Sequence, residues 1–164
     1  MGIDAPTSLT ADHDLTAFDC GKPSLNEWLS RRALDNHTHG GTRTFVVCQD
    51  TTVVGYYALA AGAVARAEAT GNTRRNMPDP IPVIVLGRLA VDNKWQGKGI
   101  GPAMLKDAIQ RTLTVSENAG VRALLVHAID EDAKSFYLNF GFKESPTVSM
   151  MFMITINEAR QALA

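Results

Sequence analysis

The hexapeptide Gln96-Gly97-Lys98-Gly99-Ile100-Gly101 stands between an apolar run, 83–91, and an amphipathic stretch that opens at Pro102. Strand, glycine loop and helix in that order constrain the fold more than any other feature of the chain. Three glycines let a backbone approach a ligand closely and aim several N–H groups at it. The helix that follows adds its unpaired N–H groups and the positive end of its dipole, which suits a pyrophosphate. Pro102 in the first turn costs little, because an N–H there has no partner within the helix. Two familiar phosphate loops do not fit. Counted from Gly97, the sixth position of G-x-G-x-x-G is Pro102, and G-x-x-x-x-G-K-[ST] occurs nowhere. The pattern that does fit is Gln/Arg-x-x-Gly-x-Gly/Ala, through Gln96, Gly99 and Gly101. Taken alone, the loop also reads as a plain glycine turn.

Periodicity organises the rest. Ser24-Leu25-Asn26-Glu27 reads as a capping box opening a helix that ends near Gly40-Gly41, with Leu25, Trp28, Leu29, Arg32 and Ala33 on one face. The β-branched and aromatic runs 43–49 and 52–60 flank Gln49-Asp50-Thr51 as a hairpin. Segment 61–81 reads as a loop with room for a short helix. Strand 83–91 follows, with Gly87 as a bulge or a close backbone approach. Helix 102–118 shows Met104, Leu105, Ala108, Ile109, Leu113 and Val115, with Gly120 as its stop. Strand 121–129 is apolar on both faces. Helix 131–140 is capped by Asp130 and ended by Gly141. A last strand, 142–154, and a short helix, 157–163, complete an order of strands, helix, strand, helix, strand. That order implies an α/β chain of the α+β type, a mixed and mostly antiparallel sheet flanked by helices.

Several segments are more idiosyncratic than the loop: Phe18-Asp19-Cys20-Gly21, Leu25-Asn26-Glu27-Trp28-Leu29, Arg43-Thr44-Phe45-Val46 and Val54-Gly55-Tyr56-Tyr57-Ala58-Leu59. They continue through Arg75-Asn76-Met77-Pro78-Asp79-Pro80-Ile81-Pro82-Val83, Leu86-Gly87-Arg88-Leu89-Ala90-Val91-Asp92 and Phe136-Tyr137-Leu138-Asn139-Phe140-Gly141-Phe142. Together with the loop they resemble the GNAT-type N-acetyltransferases, and within them the TacT-like toxins of toxin–antitoxin pairs, which acetylate aminoacyl-tRNA. The resemblance implies a single GNAT domain over 1–164 that uses acetyl-CoA as co-substrate and no metal.

The resemblance also assigns roles. Gln96, Gly97, Lys98, Gly99, Ile100 and Gly101 hold the pyrophosphate, and backbone of Leu89, Ala90 and Val91 pairs with the pantetheine arm. Tyr137 protonates the departing thiolate; a phenol near pKa 10 is protonated at neutral pH and can donate to a thiolate whose thiol sits near 8.5. Arg74, Arg75 and Arg88 bind tRNA, arginine being suited to phosphate. The same resemblance implies a homodimer neutralised by a ribbon-helix-helix antitoxin, with operator DNA reached only through that antitoxin and transcription repressed by the pair.

No general base stands out. An α-amino group, with a pKa of about 7.7–8.0, is already substantially neutral near pH 7, whereas a lysine near 10.4 is not. The absence therefore fits an aminoacyl ester better than a protein lysine, with Asp92 or Glu131 available to act through water. Acetylation of a small amine or a protein N-terminus is the alternative activity, and a non-catalytic CoA-binding co-repressor is the alternative class. A net charge of −1 over 164 residues gives no global basic field, so nucleic acid must be held by local patches. Cys20 and Cys48 are too few for a disulfide framework and suit a reducing cytoplasm. His37-Thr38-His39 lacks partners at metal spacing, and no G-x-S-x-G elbow occurs. No signal-peptide order or membrane-length apolar run is present, so a cytoplasmic location with no membrane partner is expected.

Overall fold

A computed structural model describes residues 3–164. Seven strands join in the order β1-β2-β3-β4-β5-β7-β6, and the chain forms two compact units, with β3 and β4 running through both.

The first unit comprises the residues up to Ala60 together with Gly87–Ala108. Its elements are β1 (Thr7–Ser8), α1 (Pro23–Arg31), α2 (Ala33–Thr38), β2 (Arg43–Gln49) and the first part of β3 (Thr52–Val64). It also holds the end of β4 (Ile81–Val91), a 3₁₀ turn at Asn93–Trp95, and the first turns of α4 (Ile100–Ser116). The expected hairpin is present. β2 and β3 pair antiparallel from Arg43↔Leu59 to Gln49↔Thr52, with Asp50 turning at φ +57°. Leu29, Ala33, Val46, Val53 and Tyr56 bury together, and Leu25 and Trp28 pack against them. Tyr56 is fully buried, and its hydroxyl donates to Leu25 O at 2.7 Å, so the phenol tip is satisfied inside an apolar cluster. Truncating Leu29 there to alanine would cost about 2–5 kcal/mol.

The capping box at Ser24 is not formed. Lys22 is the N-cap and its side chain does not cap the helix, and Pro23, whose fixed φ suits a first helical residue, starts α1 two positions early. The helix also breaks at Arg32, where φ is −123°, so α2 is a separate piece.

The second unit comprises Ala61–Leu86 and Ile109–Ala164. It adds α3 (Gly71–Arg74), β5 (Ala123–His127), α5 (Glu131–Phe140), β6 (Lys143–Glu144), β7 (Met151–Thr155) and α6 (Ile156–Leu163). Strand β4 pairs in parallel with β5 from Val83↔Ala123 to Leu86↔Val126, and β5 and β6 each pair antiparallel with β7. Val64, Ile81, Val83, Leu125 and Met153 form its core. α5 has the expected ends: Asp130 accepts from Ala133 N, and Gly141 sits in the left-handed region at φ +110°. A capping box forms instead at α6, where Thr155 and Glu158 bond reciprocally.

Other expectations need correction. Strand β3 runs on to Val64, and segment 61–81 also carries a 3₁₀ turn, Arg66–Glu68, besides α3. In α4 the buried stripe is Met104, Leu105, Ala108, Ile109 and Thr112, while Val115 is 39% exposed and the helix ends at Ser116, short of Gly120. The expected last strand is two strands, β6 and β7, separated by a loop in which Ser145 Oγ bonds Glu68 O. No protein atom would meet a Cβ at Gly87, so close packing of the protein's own backbone does not explain that glycine. Among the described residues no helix is long and apolar enough to cross a membrane, and no group of three or more His, Cys, Asp or Glu is placed to hold a metal ion.

Candidate active site

Between β4 and α4 the chain folds back on itself. Asp92 is buried and accepts Lys94 N at 2.9 Å and Asp19 N at 3.0 Å, which caps the 3₁₀ turn and ties it to the segment before α1. Gln96 then donates from Nε2 to Val91 O at 3.0 Å and to Asn93 Oδ1 at 3.3 Å. Its side chain is thus engaged with the protein's own strand end, where it fixes the base of the loop. Gly97 and Gly99 follow at φ +77° and +85°, a region that L side chains rarely adopt. Gly101 differs: it lies inside the first turn of α4 without a positive φ.

The first backbone bond of α4 runs from Ala103 N to Gly99 O at 3.2 Å, and Pro102 has no N–H to give. The N–H groups from Gly97 through Gly101 therefore make no hydrogen bond among the described residues. A Cβ at Gly97 or Gly99 would meet no atom of the described residues within 4 Å. Five unpaired donors on open backbone at a helix N-terminus are what an anion needs. A cavity of about 340 Å³ lies against them, lined by Val91, Trp95, Gln96, Gly97, Gly99, Ile100, Gly101 and Pro102. The expected loop residues are thus brought together, except Lys98. Lys98 lines an adjoining cavity of about 530 Å³ together with Asp4, Pro6, Val47 and Trp95.

On β4, the ladder to β5 ends at Leu86↔Val126, so Leu89, Ala90 and Val91 extend beyond it. Ala90 is buried, and Leu89 and Val91 are half-buried.

Tyr137 is in the second unit, on α5. Its ring is buried and meets Phe136 and Phe142 edge-on at 5.3 and 5.5 Å. Its hydroxyl makes no hydrogen bond among the described residues. Burial pushes the phenol up to about 12, because the charged form is the one that loses its hydration. Such a group keeps its proton at every ordinary pH, and no described residue engages that proton in a hydrogen bond.

The three arginines are in different settings. Arg74 and Arg75 are exposed at the end of α3 in the second unit. Arg88, in the first, lies over the Trp28 ring at 4.3 Å, a cation–π contact that employs it structurally. Asp92 already accepts two backbone N–H groups, which leaves it poorly suited to be a general base. Glu131 is exposed in the first turn of α5, where a carboxylate complements the helix dipole.

Residues 40–144 match the acetyltransferase (GNAT) domain. This chain belongs to the GNAT acetyltransferase family. It is 50% identical over 159 residues, 97% of its length and 96% of the relative's, to the tRNA-acetylating toxin of Mycobacterium tuberculosis. Among solved structures it resembles AtaT complexed with acetyl-methionyl-tRNAfMet, with a TM-score of 0.91 and 27% identity, covering 99% of this chain and 100% of that one. It also resembles a tyrosine-to-phenylalanine mutant of AtaT bound to the C-terminus of the antitoxin AtaR and acetyl-CoA. There the TM-score is 0.83 and the identity 29%, over 98% and 97% of the two chains. The GNAT span includes β2 to β6, hence the glycine loop and Tyr137, and excludes α1 and α2.

One residue of this GNAT loop escaped the sequence reading. Trp95 lines both cavities, and its sequence signal is a large aromatic two residues before Gly97, which reads as core.

Proposed function

We propose that this chain is a toxin that transfers the acetyl group of acetyl-CoA to the α-amino group of an aminoacyl-tRNA, so that the charged tRNA no longer supports translation. The observation that carries the donor half is the run of five unpaired N–H groups from Gly97 to Gly101 at the start of α4. The acceptor half rests on the tRNA-acetylating relative at 50% identity.

Acetyl-CoA supplies an activated thioester carbonyl. In this reading the loop holds its pyrophosphate through backbone N–H groups, with Lys98 adding a nearby point charge. The edge of Leu89, Ala90 and Val91 takes the pantetheine arm as an added strand. A backbone N–H of that strand faces the thioester oxygen, a donor worth roughly 3 kcal/mol in the transition state. Gln96 acts indirectly, by holding the loop against Val91 O. The acceptor amine, neutral enough to need no strong base, attacks the thioester carbonyl. The C–N bond forms as the C–S bond breaks, Tyr137 gives its proton to the departing sulfur, and the proton the nitrogen loses passes to water, from which the phenol is reprotonated. Arg74 and Arg75 take RNA phosphates from an exposed position, and Arg88 offers its N–H groups from its place over the Trp28 ring.

The reading extends to the whole chain acting as one cytoplasmic acetyltransferase domain, paired as a homodimer. An antitoxin with a ribbon-helix-helix domain and a tail would cover the RNA-binding arginines, and operator DNA would be reached through it alone. Expressing the wild-type chain without a partner should arrest growth. Tyr137→Phe, or co-expression of an adjacent antitoxin gene, should relieve that arrest. Harmless expression of an active, folded wild-type protein would remove the toxin reading and leave acetyl transfer standing.

A further inference from the structure

Gly55 sits in β3 among Val53, Val54, Tyr56 and Tyr57, a run in which glycine weakens the strand. Its backbone does not require glycine, since its φ is not positive. What a side chain there would press on is α4. A Cβ on Gly55 would stand 3.1 Å from Met104 Cε and 3.2 Å from both Ile100 Cγ2 and Met104 Sδ, tighter than ordinary van der Waals contact. Ile100 is the first residue of α4 and directly follows Gly99; Met104 is one turn further on.

Two residues along β3, on the same face, Tyr57 is fully buried and donates its hydroxyl to Asp107 Oδ2. The Tyr57 ring stacks on Phe45 at 5.2 Å. Ile100, Met104 and Asp107 are spaced i, i+4, i+7 and form one stripe of the helix. That stripe meets Gly55 and Tyr57, spaced i, i+2 on the strand. The helix thus has two seats on β3: a notch where a side chain is missing, and a hydrogen-bonded post.

We propose that Gly55 and the Tyr57–Asp107 bond are positioning residues that set where the N–H groups of Gly97–Gly101 stand, and hence the affinity for acetyl-CoA. The inference rests on the loop being the pyrophosphate cradle. Hydrogen bonds weaken steeply with angle and lengthen out of range within a few tenths of an ångström. Close-packed interiors pass a displacement on, so a side chain wedged at Gly55 moves Ile100 and with it the loop. Neither positioning residue touches the ligand.

Calorimetric titration of the full chain with acetyl-CoA tests this. Gly55→Val should raise Kd roughly tenfold or more, the scale of overpacking strain. Adding Met104→Ala empties the space the new side chain needs and should bring Kd back to within about threefold of wild type. Tyr57→Phe keeps the stacked ring and removes only the donor. It should raise Kd, and the KM for acetyl-CoA, by roughly three- to tenfold, a typical hydrogen-bond effect, while the KM for charged tRNA is unchanged. If Gly55→Val does not fold, Gly55→Ala and Tyr57→Phe carry the same comparison. Unchanged acetyl-CoA affinity in folded Gly55→Val, or in Tyr57→Phe, overturns the inference. So does a folded double variant whose affinity stays as low as that of Gly55→Val. A wild-type chain that does not bind acetyl-CoA at all overturns the cradle itself, which separates the two failures.

Discussion

The guanidinium of Arg66 and the carbonyl oxygen of Arg74 are joined by a 2.6 Å hydrogen bond from Nη1, and the same nitrogen reaches Met77 O at 2.6 Å. Arg122 does the same work from β5's side of the sequence, with Nε on Thr73 O at 3.1 Å and Nη2 on Asn72 O at 2.6 Å. Two cations that composition alone would offer to phosphate instead hold the carbonyl end of α3. That four-residue helix presents Arg74 and Arg75, and it is too short to stand on its own.

Arg66→Ala should therefore lower stability by about 2 kcal/mol, since bonds from a charged donor are lost and the carbonyls lose their partner. Hydrogen exchange should speed up in 66–79 and leave α5 protected. Uniform loss of protection across the chain would contradict the local role.

Tyr137→Phe should keep the fold and acetyl-CoA binding and lose 10²- to 10⁴-fold in turnover, the usual scale for removing one general acid. Because the hydroxyl bonds no other described residue, its deletion strands no partner, and the melting temperature should hardly move. Near-normal turnover would exclude the role.

Burial holds the Tyr137 phenol at about 12, above its ordinary value of about 10. Its folded value is raised, so the stability it contributes is complete below pH ~10 and is lost as pH climbs through ~12. As the proposed proton donor, Tyr137 is protonated throughout the working range. The rate should rise as the acceptor amine loses its proton, near or below the ordinary α-amino value of about 7.7–8.0, and then stay flat to about pH 10. A falling limb centred below pH 9 in a kcat profile would assign the proton to another group.

Gly99→Val should abolish acetyl-CoA binding, because φ +85° is closed to a β-branched residue and the loop must change course. Gly101 is an ordinary helical position, so Gly101→Ala tests only how near the ligand comes. Calorimetry with acetyl-CoA reads both, and unchanged affinity in Gly99→Val would put the donor elsewhere.

Much of this was legible wherever one local signal acted alone. Asp130 and Gly141 mark the two ends of α5, and the hairpin turns where Asp50 and Thr51 interrupt two β-branched runs. Ser24 misled because Pro23 competes for the same helix start, and a fixed φ at the first position outweighs a potential side-chain cap. Thr112 rather than Val115 is buried because the stripe follows what the helix packs on, which no single-helix pattern states. In the site, the glycines could be read from their spacing, but not that Gln96 turns inward onto Val91 or that Gly55 serves α4. Those depend on contacts between segments far apart in sequence.

Acetyl transfer to the amino acid on charged tRNA is the reaction on which the proposed toxicity depends. Its most direct test is incubation of the wild-type chain with acetyl-labelled acetyl-CoA and total aminoacyl-tRNA, followed by mild alkaline release of the amino acids. Label should be recovered as an N-acetyl amino acid, strongly reduced with Tyr137→Phe and absent when the tRNA is first deacylated. Label that appears only on free amines or protein N-termini, with none on tRNA, would contradict it.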